Sequence, residues 1–420
     1  MDTTGPIRLP LFQRFDCHSC TYCCRNLVVN VTEPERRRIM AAGWPQKIPD
    51  HPLFVAYRFH GRRLHRLAHR DGRCVFLGND GRCRLHAETG VDTKPLACRL
   101  YPFVPTPGAD GVGLDLRCDC PSVAANKGRS LATHGRLIAE LAAEVGARAM
   151  SEPPPWPGAR SITAGEFDAV VEAFDSLLRR GSLLYRTRLR AGAQLLELLY
   201  TLRVRRIRDE RFVELMELLS TSAAEEGEQG HPPGPVPPRR ASRLFGEWLF
   251  LHAVTDDPAA LDTSLSTKLA RSWRRYGQAR RFARGKGPVP PMAADWPNTT
   301  FETVASVAAA PDDALEPVTR ILRLKLQAHA FAGPAYFRYD LLSGLTALWL
   351  MPALVGWFGR LGALAAGRHA LTPEDVLEGL RRVHHTYGVS PVFGRISERL
   401  RLRTLSKPGV PTALLAAYGP

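Results

Sequence analysis

No cysteine occurs after Cys120, although the chain runs on to residue 420. All nine thiols are therefore crowded at one end, an odd set that argues against a secreted disulfide scaffold and for a reducing cytoplasm with metal-bound thiolates. Residues 1–15 contain no apolar h-region, so no secretory signal is expected. A Gly-rich strand–turn–helix fingerprint for a nucleotide-like cofactor is also missing; Gly111-Val112-Gly113 reads as a lone turn. Internal repeats are absent.

Long apolar runs are scarce, with one exception. Residues 341–359 carry no charge over 19 positions, long enough for a membrane span. Three glycines, Ser343, Thr346 and a central Pro352 point instead to a buried core helix broken near the proline, and no membrane span is expected. Acidic residues are outnumbered: the formal charge is +16, most of it from arginine. The doublets Arg179-Arg180, Arg205-Arg206, Arg239-Arg240, Arg274-Arg275 and Arg280-Arg281 are dispersed. With no zinc-finger spacing, basic zipper or aromatic-interleaved basic cluster, the charge reads as a solvated Arg-rich surface with no specific nucleic-acid partner.

What is present in excess is thiol. Cys17, Cys20, Cys23 and Cys24 fall within eight residues, followed by Cys74, Cys83, Cys98, Cys118 and Cys120. Only a soft cation explains gathering so many thiolates in so short a segment. Cys17-x2-Cys20-x2-Cys23 is the run that supplies three ligands of a cubane cluster in bacterial ferredoxins, and Cys120-Pro121 resembles the remote closing ligand. Two C-x2-C pairs closed by later cysteines equally suit zinc, and nine thiols allow two four-cysteine sites with one spare. A 4Fe-4S cluster and zinc both fit. Adjacent Cys23 and Cys24 are not expected to share one small tetrahedron. Tyr101, Asp119 and Arg99 stand beside ligand cysteines and are candidates to line the site.

The fold class expected is α+β, mostly α: a cysteine-rich domain with short strands over residues 1–150, a helical segment over 161–220 and a helical domain over 241–420. Residues 27–31 are β-branched enough for a strand. Thr32, Thr163 and Thr372 each read as helix N-caps, with a capping-box pattern at Thr163 and Glu166. His60, His65 and His69 sit in what looks like a hairpin with Gly61 in its turn, as surface histidines. The two Asp-Gly-Arg-Cys units, at Cys74 and Cys83, read as successive short strands entered by tight turns. One helix is expected over 130–150 with Leu131, Leu137, Ile138, Leu141 and Val145 on its stripe. Residues 151–158 are proline-rich and mark a boundary, and residues 220–238 read as a flexible linker.

Cys17-x2-Cys20-x2-Cys23-Cys24, Cys74-Val-Phe-Leu, Gly81-Arg-Cys83 and Lys94-Pro95-x2-Cys98-Arg99-x2-Pro102-Phe103 together resemble the zinc- or iron-chelating CxxCxxCC family. The resemblance covers residues 15–121, about a quarter of the chain, and it implies metal binding. Its longer members include the flagellin lysine N-methylases, which are similar in length with a helical C-terminal portion. That resemblance implies S-adenosylmethionine as methyl donor and a protein substrate such as flagellin, with no catalytic residue marked. This sequence departs from them in its tighter first cluster and in Arg25-Asn26 behind it. The alternative is a non-enzymatic, metal-stabilised binding module whose Arg-rich helices contact an acidic partner.

Overall fold

The computed structural model describes residues 6–59, 62–158, 161–202, 207–228, 236–254 and 265–420. His60, Gly61, Arg205, Arg206 and residues 229–235 of the expected linker lie outside this set. Helix accounts for 57% and strand for 11%, with the strands confined to residues 7–130, so the fold is α+β and mostly α.

Among the described residues, four small sheets shape the N-terminal region. Ile7–Arg8 pairs in parallel with Val112–Leu116, which pairs antiparallel with Phe103–Pro107. Val112 and Gly113 thus begin a strand in place of the expected lone turn, paired on one side with the nearby Thr106-Pro107 and on the other with the remote Ile7–Arg8. Phe54–Phe59 and Arg62–Leu67 form the expected hairpin, and only Asn30–Val31 of residues 27–31 joins it. His69–Arg70 and Arg73–Cys74 pair across Asp71-Gly72, whose φ values of 50° and 71° suit a primed hairpin turn. The second Asp-Gly-Arg-Cys unit departs from this. Its turn ends in a single bridge between Leu77 and Cys83, and the helix Arg84–Thr89 starts directly after Cys83.

Helices make up the body. Thr32 and Thr163 close full capping boxes with Glu35 and Glu166, and Thr372 does so with Asp375. The helix Ala164–Arg179 buries Phe167, Val170, Val171, Phe174, Leu177 and Leu178, the stripe its spacing implies. The apolar run folds as helices Leu341–Trp349 and Met351–Ala365, separated at Leu350 with Pro352 in the first turn of the second. Its most apolar window is entirely buried, as a core helix pair should be. Three expectations are corrected. The helix after Ser130 is shorter, Gly135–Glu144 behind a 3-10 turn, and leaves Leu137 and Val145 exposed. Residues 220–228 continue the helix Asp209–Glu228 instead of opening a linker. The helix Leu265–Arg284 does interleave aromatics with arginines on an exposed surface.

Apolar side chains gather in two cores. The larger runs from Phe15 to Leu414 and takes side chains from all three segments, including Trp156 of the proline-rich stretch. There the Leu341 amide donates to the Pro155 carbonyl at 2.9 Å. The smaller consists of Val31, Ile39, Trp44, Leu53, Leu67, Phe76 and Leu85. Glu35 ties its parts together: besides its capping box it accepts the Leu96 amide at 2.7 Å. Burial alone would raise the Glu35 pKa, but these amide donors hold it below the usual value.

Two histidines of the large core are buried in surroundings that disfavour their charged form. Trp248 Nε1–H donates to His252 Nε2 at 2.7 Å, and His252 Nδ1 lies 2.7 Å from Thr386 Oγ1. Protonating Nε2 would set two donors against each other. Burial pushes His252 down to about 3 and holds His384 well below its ordinary value, where Lys325, His252 and Arg117 add to the effect. A histidine depressed in the folded state contributes stability that is complete above its unfolded pKa and lost as pH falls below it. Each site then costs about 1.4 kcal/mol per pH unit below ~6.5. Urea denaturation at pH 7.5 and 5.5 should show a loss of roughly 3 kcal/mol from the pair. His384→Leu should remove about half of that pH dependence, since metal and thiol contributions cancel between the two proteins; an unchanged slope would show that His384 titrates freely.

Candidate metal centre

The thiols lie along the seam between the two cores. Cys74, Cys83 and Cys98 pack against the small core, whereas Cys118 and Cys120 belong to the large one. The loop carrying Cys17 to Cys24 lies between. Ser19 and Thr21 hold left-handed backbone with φ of 51° and 63°, an arrangement costing about 1 kcal/mol or more each. The loop rests on the Asp80-Gly81 turn: a Cβ placed on Gly81 would stand 3.5 Å from the Ser19 carbonyl and 3.6 Å from the Thr21 methyl. Gly81 itself has φ of 77°, so a side chain there would be strained as well.

Three groups of sulfurs result. Cys23 and Cys24 share the short helix Tyr22–Asn26, with their sulfurs 3.9 Å apart. The charges of Cys23, Cys74, Cys83 and Cys98 reach one another. Burial pushes the Cys74 and Cys98 thiols up to about 12, with these neighbouring thiols adding to it and the Lys94 ammonium opposing it at Cys98. Cys23 is raised well above the ordinary thiol value by its contact with Cys24 and by burial. Cys17 and Cys20 are exposed, and Cys20 is felt by Cys120, which burial raises to about 11. His18 Nδ1 sits 2.9 Å from Ser122 Oγ and ties this loop to the chain behind Cys120.

Cys118 stands apart from both groups. It is fully buried, donates to the Leu116 carbonyl at 3.3 Å, and has Lys325, Asp115 and Arg320 around it. Among the described residues, no three His, Cys, Asp or Glu side chains are already set to hold one ion. Cys23, Cys74, Cys98 and Cys120 have raised pKa values, so a metal must displace their protons as it binds. His65 and His69 sit on strands, and neither shares a helical face as a ligand pair would.

Asp119 is the polar hub beside the thiols. Arg117 donates to both of its carboxylate oxygens, at 3.2 and 2.5 Å, and Tyr101 Oη donates at 3.3 Å. His385 Nδ1 lies 3.5 Å from Asp119 Oδ2 and 3.4 Å from Tyr22 Oη. Arg381 covers the Tyr22 ring at 4.7 Å and donates to the Asp119 carbonyl at 3.4 Å. Burial would raise Asp119, but His385 and Arg117 hold its carboxyl below the usual range. Sequence reasoning found Tyr101 and Asp119 and missed His385 and Arg381, which come from the helix Pro373–Thr386 with no local signal. Arg99 turns away to pair with Glu144.

The donor set suits a soft cation, because thiols from a strained loop and from the turns at Cys74 and Cys83 lie along one seam. Residues 16–123 match the model of the CxxCxxCC family, described as a putative zinc- or iron-chelating domain. No curated protein and no solved structure matches the chain. The likeness to flagellin lysine N-methylases therefore gains no support, and methyl transfer is not borne out.

Proposed function

We propose that the zinc- or iron-chelating domain at residues 16–123 is a zinc-thiolate clasp, in which Cys23 and Cys24 share one ion with Cys74 and Cys98, and Cys83 lies beside it. The observation that carries this is the 3.9 Å separation of the Cys23 and Cys24 sulfurs. With zinc–sulfur bonds of ~2.3 Å, the edge of a tetrahedron is roughly 3.8 Å. Adjacency therefore does not keep the two apart, contrary to the expectation from spacing. In a cubane each iron takes one cysteine, so two sulfurs this close fit a single ion better. Cys17, Cys20 and Cys120 form a second, more exposed group, and Cys118 is the spare thiol.

Zinc closed by four thiolates has no open coordination position and supplies structure, not redox or Lewis-acid chemistry. The clasp holds the cysteine loop against the body, where Tyr22 meets His385 and Arg381. This favours the non-enzymatic reading of a metal-stabilised module; unpaired thiols that must stay reduced agree with a cytoplasmic setting. S-adenosylmethionine binding and a lysine-bearing substrate such as flagellin rest on the resemblance alone.

Anaerobic purification with metal and sulfide analysis tests the proposal. The protein should carry zinc without acid-labile sulfide. Cys23→Ser and Cys74→Ser should lose the ion, and Cys118→Ser should keep it. Iron with matching sulfide and visible charge-transfer absorption would overturn the zinc assignment.

A further inference from the structure

We propose that the helix Leu265–Arg284 is a docking surface for an anionic lipid bilayer. Its sequence, LSTKLARSWRRYGQARRFAR, holds one lysine and six arginines and no acidic residue. The helix is fixed from one side. Phe282 is buried, with Phe301 at 5.4 Å, Trp357 at 5.7 Å and Phe250 at 5.8 Å between ring centres. A Cβ on Gly246 would stand 2.1 Å from the Phe282 carbonyl, so the helix Arg239–Ala253 approaches closely there. Arg271, Arg275 and Gln278 are half-buried at the spacing that continues from Phe282 along this inner face.

The opposite face is apolar and uncovered. Leu269, Trp273 and Tyr276 fall at i, i+4 and i+7 and are 63%, 73% and 58% exposed. A tryptophan this bare is unusual in a chain whose other six, Trp44, Trp156, Trp248, Trp296, Trp349 and Trp357, are all buried. Arg274, Arg280 and Arg281 are exposed around the stripe. An apolar ridge of leucine, tryptophan and tyrosine rimmed by arginines fits the boundary between lipid headgroups and acyl chains, with the cations meeting anionic headgroups.

A nucleic acid would use the same charge but not the same ridge. Stacking successive bases needs parallel ring faces. Trp273 and Tyr276 are instead edge to face, 6.4 Å apart with planes at 89°, and Arg280 lies over the Tyr276 ring at 5.8 Å. Leu269 offers a base no stacking face. These features favour a bilayer.

The test is co-sedimentation of the full chain with phosphatidylcholine vesicles, with and without about 30% phosphatidylserine, while tryptophan emission is followed. Binding should require phosphatidylserine and weaken with salt. Emission should shift to the blue, because Trp273 is the exposed indole, and Trp273→Ser should abolish the shift. Arg274→Glu with Arg281→Glu should lower partitioning by about tenfold or more. Both variants alter exposed positions outside residues 16–123, so circular dichroism and metal content serve as folding controls. Failure to sediment, equal binding to neutral vesicles, unaltered binding by the variants, or displacement from vesicles by a single-stranded oligonucleotide would overturn the proposal.

Discussion

Stripping the metal from the folded protein is expected to unfold the region around the small core and leave the helical body standing. Among the described residues only seven apolar side chains are buried in that core, the others packed on it being partly exposed, too few to offset the conformational entropy of the strands, turns and short helices around them. The helices Tyr22–Asn26, Arg84–Thr89 and Leu96–Leu100 have five or six residues, below the length at which a helix sustains itself. Ser19 and Thr21 add backbone strain that a metal-held loop tolerates and a free one releases. Thiolate–zinc binding in small domains contributes on the order of 10 kcal/mol, more than the margin any small domain has. The body stands differently, with its apolar helices Leu341–Trp349 and Met351–Ala365 buried almost throughout.

Hydrogen exchange before and after chelation separates the two regions. Amides of the hairpin Phe54–Phe59 and Arg62–Leu67 should lose most of their protection on chelation. Those of Ala164–Arg179 and Met351–Ala365 should be unchanged. Because Cys74 and Cys98 are raised to about 12 by burial, metal uptake must release their protons, and affinity should climb steeply with pH. Equal protection with and without metal would show that the thiols do not hold this region.

Local chemistry is what the sequence reveals well. The three threonine caps depend on residues three positions apart, and the helix break at Leu350 follows from Pro352 alone. The two Asp-Gly-Arg-Cys units show where locality ends. Val75-Phe76-Leu77 follows the first, whereas Arg84-Leu85-His86-Ala87-Glu88 follows the second and supplies helix formers, so an identical entry turn leads to different elements. That the cysteines belong to a zinc- or iron-chelating type of domain is legible from their number and spacing. Their division is not, because it depends on which core each sulfur faces. Cys118 and Cys120 differ by two residues and sit on one motif, yet one faces the Lys325–Asp115 pair and the other faces Cys20. His385 meets Asp119 across 266 positions (385 − 119), and only the packing of the body brings them together.

Lys325→Met is expected to destabilise the protein by about 3–5 kcal/mol, the usual result of stranding one member of a buried ion pair. Lys325, on the helix Glu316–Gln327, donates to Asp115 Oδ2 at 2.6 Å and to the Leu116 carbonyl at 3.4 Å. Both side chains are buried, at 5% and 9% exposure, so water cannot replace the ammonium. Asp115 Oδ1 finds no partner among the described residues, which makes Lys325 the main source of charge compensation. The pair fastens the strand Val112–Leu116, and with it Cys118 and Cys120, to the body, aided by Arg320 donating to the Ala124 carbonyl at 2.6 Å. Burial already raises Asp115 above the usual carboxylate range in spite of Lys325, and removing the ammonium should raise it further. A carboxyl raised in the folded state takes up a proton there first, so the penalty in Lys325→Met should shrink as pH falls toward that raised pKa. Adding Asp115→Asn should recover much of the loss at pH 7.5 by removing the stranded charge. Urea midpoints of the wild type, the two single variants and the double variant decide the matter. Strictly additive losses would show that the two side chains do not act as a pair, and a loss in Lys325→Met that stays constant with pH would show that Asp115 is not the group left exposed to the penalty.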